Sequence, residues 1–361
     1  MKIGISIYPE RSTFERDKEY LDSAQKLGFK RVFTSLLEIT GDGDHVINNF
    51  KRTVLYASEI GMEVIVDINP AILKQIGVSF DDLAFFNELG AYGVRLDRGF
   101  TGIEEAAMTR NPYGIKLEVN LSIGNSYINN VMAFSPNINN LLGSHNFYPM
   151  RYTGLSEEYA DLCLKNAKSH NLETTVFITS QTGNLGPWIV QDGLVTMEMH
   201  RDLSIATQMR HMMMNGFVDT VVIGNSYATI EELTQVAKIR DEVCTCLTIN
   251  LAKGVTDIEK TITLEETHSY RGDVSGYMMR SSLPRFKYKK SDIAVNNCNR
   301  IQPGDVLIGN NNLGQYKGEL HVALKEMENY ERLNVVGHLT EESMVLLNYV
   351  KPWSRFKIVI E

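Results

Sequence analysis

The stretch Ile3-Gly4-Ile5-Ser6-Ile7-Tyr8 runs straight into Pro9-Glu10-Arg11-Ser12, and this junction decides between two folds. The first six residues alternate as a strand does, and a helical pattern, Phe14–Leu27, follows. A doubly wound open sheet would place a glycine-rich phosphate loop after so early a strand. The turn here contains no glycine, which favours the alternative, a barrel of alternating strands and helices.

Seven further apolar runs support that choice: Arg31–Leu37, Glu63–Asn69, Gly93–Asp97, Lys116–Ser122, Leu141–Tyr148, Thr174–Ser180 and Asp219–Asn225. Helical patterns such as His45–Ile60, Ser156–His170 and Ile230–Ile239 lie between and after them. Ser156-Glu157-Glu158 reads as a capped helix start, and Gly28, Gly61 and Gly216 as helix ends. Eight strands alternating with helices over roughly 240 residues is the arithmetic of a (β/α)8 TIM barrel, and residues 1–239 are predicted to form one. From residue 240 the pattern changes. Val243–Leu251, Thr267–Arg271, Tyr277–Ser282, Val306–Ile308, Glu319–Lys325 and Asn334–Leu339 read as strands, separated by turns such as Pro303-Gly304-Asp305. Residues 240–361 are therefore predicted as a mostly-β domain, a small barrel or sandwich with hardly any helix. The basic run Arg285–Lys290 reads as a solvated strand edge that discourages pairing.

Composition excludes several classes. With 43% apolar and 22% charged residues, the chain is neither disordered nor a coiled coil. Its net charge is −8, and acids and bases balance after residue 239, so the acidic excess belongs to the barrel. No basic face for nucleic acid is expected. Cys163, Cys244, Cys246 and Cys298 have no metal-like spacing and suit a reducing compartment. Without a long apolar leader or a run approaching the ~20 residues of a membrane span, the expected location is the cytoplasm.

Strand parity then sorts the polar residues. In Lys116-Leu117-Glu118-Val119-Asn120-Leu121-Ser122 the leucines and valine face helices, while Glu118, Asn120 and Ser122 face the lumen. The same logic sends Arg95 and Asp97, and Ile65, Asp67 and Asn69, inward. Buried charges need partners, so Arg95 and Glu118 are expected to pair in a deeper layer. Asp67 and Asp97 lie nearer the strand ends, where barrel enzymes keep their chemistry. Two carboxylates on adjacent strands suit acid/base or nucleophilic work; the alternative is that each caps a helix or accepts loop N–H bonds. The sixth strand ends in Ser144-His145-Asn146-Phe147-Tyr148-Pro149-Met150-Arg151-Tyr152, a polar and aromatic wall suited to a sugar or other small molecule, the alternative being a rigid, hydrogen-bonded loop. After the seventh strand, a long loop from Gln181 to Arg201 brings Glu198 and Arg201 within possible reach of a ligand. The turn Gly224-Asn225-Ser226, just before a helix, is a candidate anion site. The methionines of Met209–Met214 read as helix core. No lysine sits at a strand end for a Schiff base, and neither His-x-His at a strand end, HExxH nor a phosphate loop occurs, so no cofactor or dedicated metal site is expected.

Taken together, Arg95-Leu96-Asp97-Arg98-Gly99-Phe100, His145-Asn146-Phe147-Tyr148-Pro149, Tyr152-Thr153-Gly154-Leu155-Ser156, Thr196-Met197-Glu198-Met199-His200-Arg201 and Pro303-Gly304-Asp305-Val306 resemble the MupG family of 6-phospho-N-acetylmuramidases. Ile3–Tyr8 and Val32–Leu36 extend the likeness over almost the whole chain. The resemblance implies an N-terminal TIM barrel, a C-terminal cyclophilin-like β-barrel domain, and a cytoplasmic glycosidase of peptidoglycan recycling. Its substrate would be the disaccharide N-acetylmuramic acid 6-phosphate–N-acetylglucosamine. Such a substrate carries a phosphate and a lactyl carboxylate, for which Arg98, Arg151, Arg201, the Gly224-Asn225-Ser226 turn and Arg280 of the second domain are candidate partners. Asn120, His145, Asn146 and Tyr148 would contact the sugars. Asp67 and Asp97 are the expected catalytic pair, with Glu38 and Glu198 in reserve; which is the acid, and whether configuration is retained or inverted, stays open. So do two other classes: a divalent-metal lyase or epimerase using Asp67, Asp97, Asn120 and His145, and a non-catalytic carbohydrate-binding barrel.

Overall fold

The alternation in the sequence becomes a closed sheet. The structure, a computed structural model, describes residues 1–37 and 44–360. Eight parallel strands close in chain order: β1 Lys2–Ser6, β2 Arg31–Ser35, β3 Glu63–Ile68, β4 Gly93–Leu96, β5 Lys116–Asn120, β6 Leu141–Ser144, β7 Glu173–Ile178 and β8 Thr220–Ile223. Between and after them run α1 Phe14–Lys26, α2 Asp44–Glu59, α3 Pro70–Gln75, α4 Ala84–Glu88, α5 Ile103–Met108, α6 Asn125–Ala133, α7 Glu157–Ser169, α8 Ile205–Asn215 and α9 Ile230–Arg240. Local chemistry sets the helix ends. Ser156 Oγ accepts the Tyr159 N–H and Thr229 Oγ1 that of Glu232. Gly28, Gly61 and Gly216 all take positive φ as their helices end.

One parity of each strand packs on the helices. Val64, Val66, Val94, Leu96, Leu117 and Val119 meet residues such as Leu21, Val54, Phe86 and Leu164 in one core. The other parity fills the lumen, which is divided. On the side of β1, β2, β7 and β8, Tyr8, Phe33, Phe177 and Val222 form an apolar plug with Leu194. On the side of β3 to β6 the lumen is polar. At the N-terminal strand ends, Arg31 lies within 3.1 Å of Glu63, 3.0 Å of Glu173 and 3.3 Å of Glu118. Lys2 joins Glu63 at 3.0 Å and Glu173 at 3.3 Å. Glu118 therefore looks down to Arg31, and its approach to Arg95 is a loose 4.0 Å. The expected Arg95–Glu118 ion pair is thus present at the longer distance, while the hydrogen bonds of Arg95 go to the other end of the lumen.

Two compact units divide the chain, Met1–Asp241 and Glu242–Glu361. The second holds β9 Thr245–Leu251, β10 His268–Ser269, β11 Met278–Ser281, β12 Asp305–Gly309, β13 Leu320–Ala323, β14 Leu333–Leu339 and β15 Arg355–Val359, in the sheet order β10-β15-β9-β14-β12-β13-β11. Its edges approach each other: the Arg271 N–H donates to the Arg280 carbonyl at 3.0 Å and the Ser269 N–H to Ser281 Oγ at 3.3 Å, so the sheet is a nearly closed barrel. Two features depart from expectation. β15 lies outside the strands expected from the sequence, and Leu283–Lys287 is a short helix rather than a strand edge, with Pro284 pre-set for its first turn. This helix is α11; α10 Asp257–Lys260 and α12 Glu341–Leu347 flank it in sequence. Among the described residues no helix is long and apolar enough to cross a membrane.

Candidate active site

Arg95 is the hub at the C-terminal end of the polar half-lumen. It is 2% exposed, and every arm of its guanidinium has a partner. Nη1 donates to Asp67 Oδ1 at 2.6 Å, Nε to Ser144 Oγ at 2.8 Å, and Nη2 to Asn146 Oδ1. Asp97 Oδ1 lies 3.7 Å from the same Nη1. Asp67 and Asp97 thus share one cationic nitrogen, and their Oδ1 atoms are no further apart than those two distances together. Their settings differ. Asp67 is 5% exposed, whereas the Asp97 side chain is 34% exposed. Burial pushes Asp67 up to about 7; Arg95 opposes this, and the charges of Asp97 and Glu118 reinforce it. The site therefore sets a buried acid, raised towards neutrality, beside a more open carboxyl group.

The neighbourhood of Asp97 is fixed by its own loop. Asn120 Nδ2 donates to the Asp97 carbonyl at 3.0 Å, so Asn120 braces the backbone. Glu105 accepts the N–H groups of Phe100 at 2.5 Å and Gly102 at 2.7 Å, and the Tyr127 hydroxyl at 2.7 Å. A Cβ on Gly99 would fall 1.9 Å from that hydroxyl, which is why glycine stands there. The loop leaves Arg98 exposed, and among the described residues it has no ion-pair partner, unlike Arg151 and Arg201.

Several expected site residues have other tasks. His145 is fully buried on the helix side of β6, its Nδ1 2.9 Å from Ser122 Oγ and its Nε2 3.2 Å from the Ala160 carbonyl; burial lowers its pKa to about 4. It does not join Asp67 and Asp97, and among the described residues no three His, Cys, Asp or Glu side chains are grouped to hold a metal. Glu198 is a structural anchor. It accepts the N–H groups of Tyr152 and Gly154 at 2.8 Å each and two Arg201 donors at 2.7 Å each. The Arg201 hydrogen bonds, with these N–H groups, hold it near pKa 2. Arg201, 3% exposed, spends its remaining donors on the carbonyls of Tyr148, Met150, Asp192 and Gly193. Arg151 is bidentate to Asp202, at 2.6 and 2.9 Å. Both arginines line a polar cleft of about 390 Å³ with Gln181, Asn184 and Gln191, but each brings its own counter-charge.

The turn at Gly224 is closed as an anion site. The Gly224 N–H donates to Ile178, the Ser226 N–H to Leu185, and Ser226 Oγ to the Ser6 carbonyl. Asn225 uses Oδ1 and Nδ2 to tie Thr179, Ser180 and Gly183 together. Tyr148 is half-buried on the wall. Glu38 lies outside the described residues, and Arg280 belongs to the second unit. Sequence reasoning missed Arg95 as the hub and Ser144 as its support, although parity places Ser144 in the lumen. Phe147 of the expected wall meets Trp188, which sequence reasoning gave no role; their rings lie tilted at 5.6 Å between centroids and provide an aromatic surface next to Asn146.

A (β/α)8 barrel with paired acids at its C-terminal strand ends is built as an enzyme barrel. Comparison with known proteins narrows this. Residues 3–238 match the family described as 6-phospho-N-acetylmuramidase, N-terminal, and residues 245–359 match its C-terminal counterpart. The chain belongs to the 6-phospho-N-acetylmuramidase family, a family of glycosidases. Among solved structures it is similar to an uncharacterized B. cereus protein, with 43% identity over 99% of both chains and a TM-score of 0.90. It is also similar to a conserved Enterococcus faecalis protein of unknown function, with 25% identity, 100% of this chain and 97% of that one covered, and a TM-score of 0.77. No curated protein matches it.

Proposed function

We propose that this protein hydrolyses the glycosidic bond of N-acetylmuramic acid 6-phosphate–N-acetylglucosamine in the cytoplasm, as a step of peptidoglycan recycling. The observation that carries the reading is the pair Asp67 and Asp97 on one guanidinium nitrogen, with one acid buried and raised towards neutrality and the other open. Family membership supports the choice of a phosphorylated amino-sugar substrate.

In this reading protonated Asp67 donates to the leaving oxygen as the bond breaks. Asp97 serves the sugar carbon, either directly or through water. Arg95 holds both carboxyl groups in place and stabilises Asp67 as it becomes an anion. Arg98 meets an anionic group of the substrate, and Phe147 and Trp188 meet a sugar face.

The test is a product assay on the phosphorylated disaccharide and its unphosphorylated form, each with and without chelator. Release of both sugars from the phosphorylated compound alone, unaffected by chelator, supports the proposal. No release removes the substrate; loss of activity on chelation moves the reading to metal-dependent chemistry.

A further inference from the structure

The second unit holds a cluster of charge around Arg280, a residue the sequence offers as an anion partner and the mechanism above leaves unassigned. Glu319 is fully buried and collects two arginines from different elements. Arg280 of β11 approaches its Oε1 at 2.6 Å through Nη2 and 2.8 Å through Nε, and Arg285 of α11 donates to its Oε2 at 3.1 Å. His321 stands opposite Arg280 across the β11–β13 ladder. It is 5% exposed, its Nε2 is 3.4 Å from Glu319 Oε1, and its Nδ1 has no hydrogen-bond partner. Both guanidinium groups also flank the Tyr316 ring, at 5.9 and 5.3 Å from its centroid.

One carboxylate does not satisfy two guanidinium groups. Arg280 Nη1 and the Nε and Nη2 of Arg285 have no acceptor among the described residues, while the two side chains remain 25% and 21% exposed. Two guanidinium groups on one carboxylate leave a net positive charge and several donors without a protein acceptor. Glu319 orients both forks in advance, which lowers the entropic cost of receiving a tetrahedral oxyanion.

We infer that Arg280 and Arg285, oriented by Glu319 beside Tyr316, form a binding site for a phosphate group in the second unit. The choice of phosphate among oxyanions rests on the glycosidase reading; the site itself does not.

The experiment uses the full chain and needs no turnover. Phenylglyoxal modification of arginines is followed peptide by peptide by mass spectrometry, with inorganic phosphate or a hexose 6-phosphate present. At about twice its Kd a blocking ligand slows modification about threefold. That protection is expected at Arg280 and Arg285 and not at exposed Arg355. Equal rates at Arg280 and Arg285 with and without either phosphate overturn the inference. In Arg285→Gln, where Arg280 still neutralises Glu319, protection of Arg280 should fall about tenfold in phosphate affinity. Undiminished protection there would also overturn it. A protein that shows protection but no glycosidase activity would keep this site and lose the proposed function.

Discussion

Asp67 is a residue whose surroundings disagree about its charge. Burial favours the neutral form, and Arg95 at 2.6 Å favours the anion. Burial prevails, and the pKa rises from 3.8 to about 7. If Asp67 is the proton donor, kcat/KM should fall as pH rises through about 7, and Asp67→Asn should lose at least about a hundredfold in kcat with its fold intact. Those rates, read against circular dichroism of the variant, decide the point; wild-type turnover by Asp67→Asn would end the assignment. Stability follows the same group. The folded chain keeps a proton that the unfolded chain has released, so stability due to Asp67 is complete below about pH 4 and is lost as pH rises through about 7. Asp67→Asn should flatten that slope in denaturation curves. Removing the opposing cation acts the other way: in Arg95→Gln the Asp67 carboxyl should titrate about one to three units higher by carbon NMR.

At the scale of elements, two loops give the site its shape. The segment after β4 depends on Gly99, because a methyl group there would meet Tyr127 at 1.9 Å. Gly99→Ala should therefore displace Asp97 and Arg98, lowering kcat/KM about tenfold or more while the melting temperature moves only a few degrees. The segment after β7 depends on Glu198 and Arg201. Glu198→Gln should expose residues 181–201 to limited proteolysis well before the barrel unfolds, since its carboxylate anchors two backbone N–H groups and Arg201. How much of this was legible varies with distance in sequence. Clean alternation over Lys116–Asn120 sorts lumen from helix side, and the same parity finds Asp67 and Asp97; Ser122, expected inward, lies past the strand in a 3-10 turn and bonds His145. The same parity, carried one strand further, places His145 outward; treating 144–152 as one polar wall obscured it. The i,i+3 spacing of Glu198 and Arg201 was a local sign of mutual neutralisation. The partners of Gly224, Asn225 and Ser226 sit some forty residues earlier, between Ile178 and Leu185, and at Ser6 at the start of the chain, and no local pattern announces them. Arg355-Phe356-Lys357-Ile358 alternates exposed and buried as β15, a period-2 signal present in the sequence itself.

For the whole molecule, the eight-strand arithmetic was legible because every strand begins and ends within a short apolar run, but the ionic layer closing the bottom of the barrel was not. Lys2, Arg31, Glu63, Glu118 and Glu173 are spread over the first half of the chain and become neighbours only when the sheet closes. Arg31, 1% exposed, is the member that three carboxylates depend on. Arg31→Met should cost about 3–5 kcal/mol in chemical denaturation of the full chain, because it leaves Glu118 buried without its nearest cation. Lys2→Met, at a half-open rim, should cost under about 1 kcal/mol. The two tryptophans are distributed in an equally useful way. Trp188 rests against Phe147 near the candidate site, and Trp353, 77% exposed, stands in the second unit. The chain thus contains its own optical gauge. A sugar settling on the Phe147 surface would change the emission of the Trp188 indole, so occupancy of the barrel is readable in unlabelled protein, before any bond is broken.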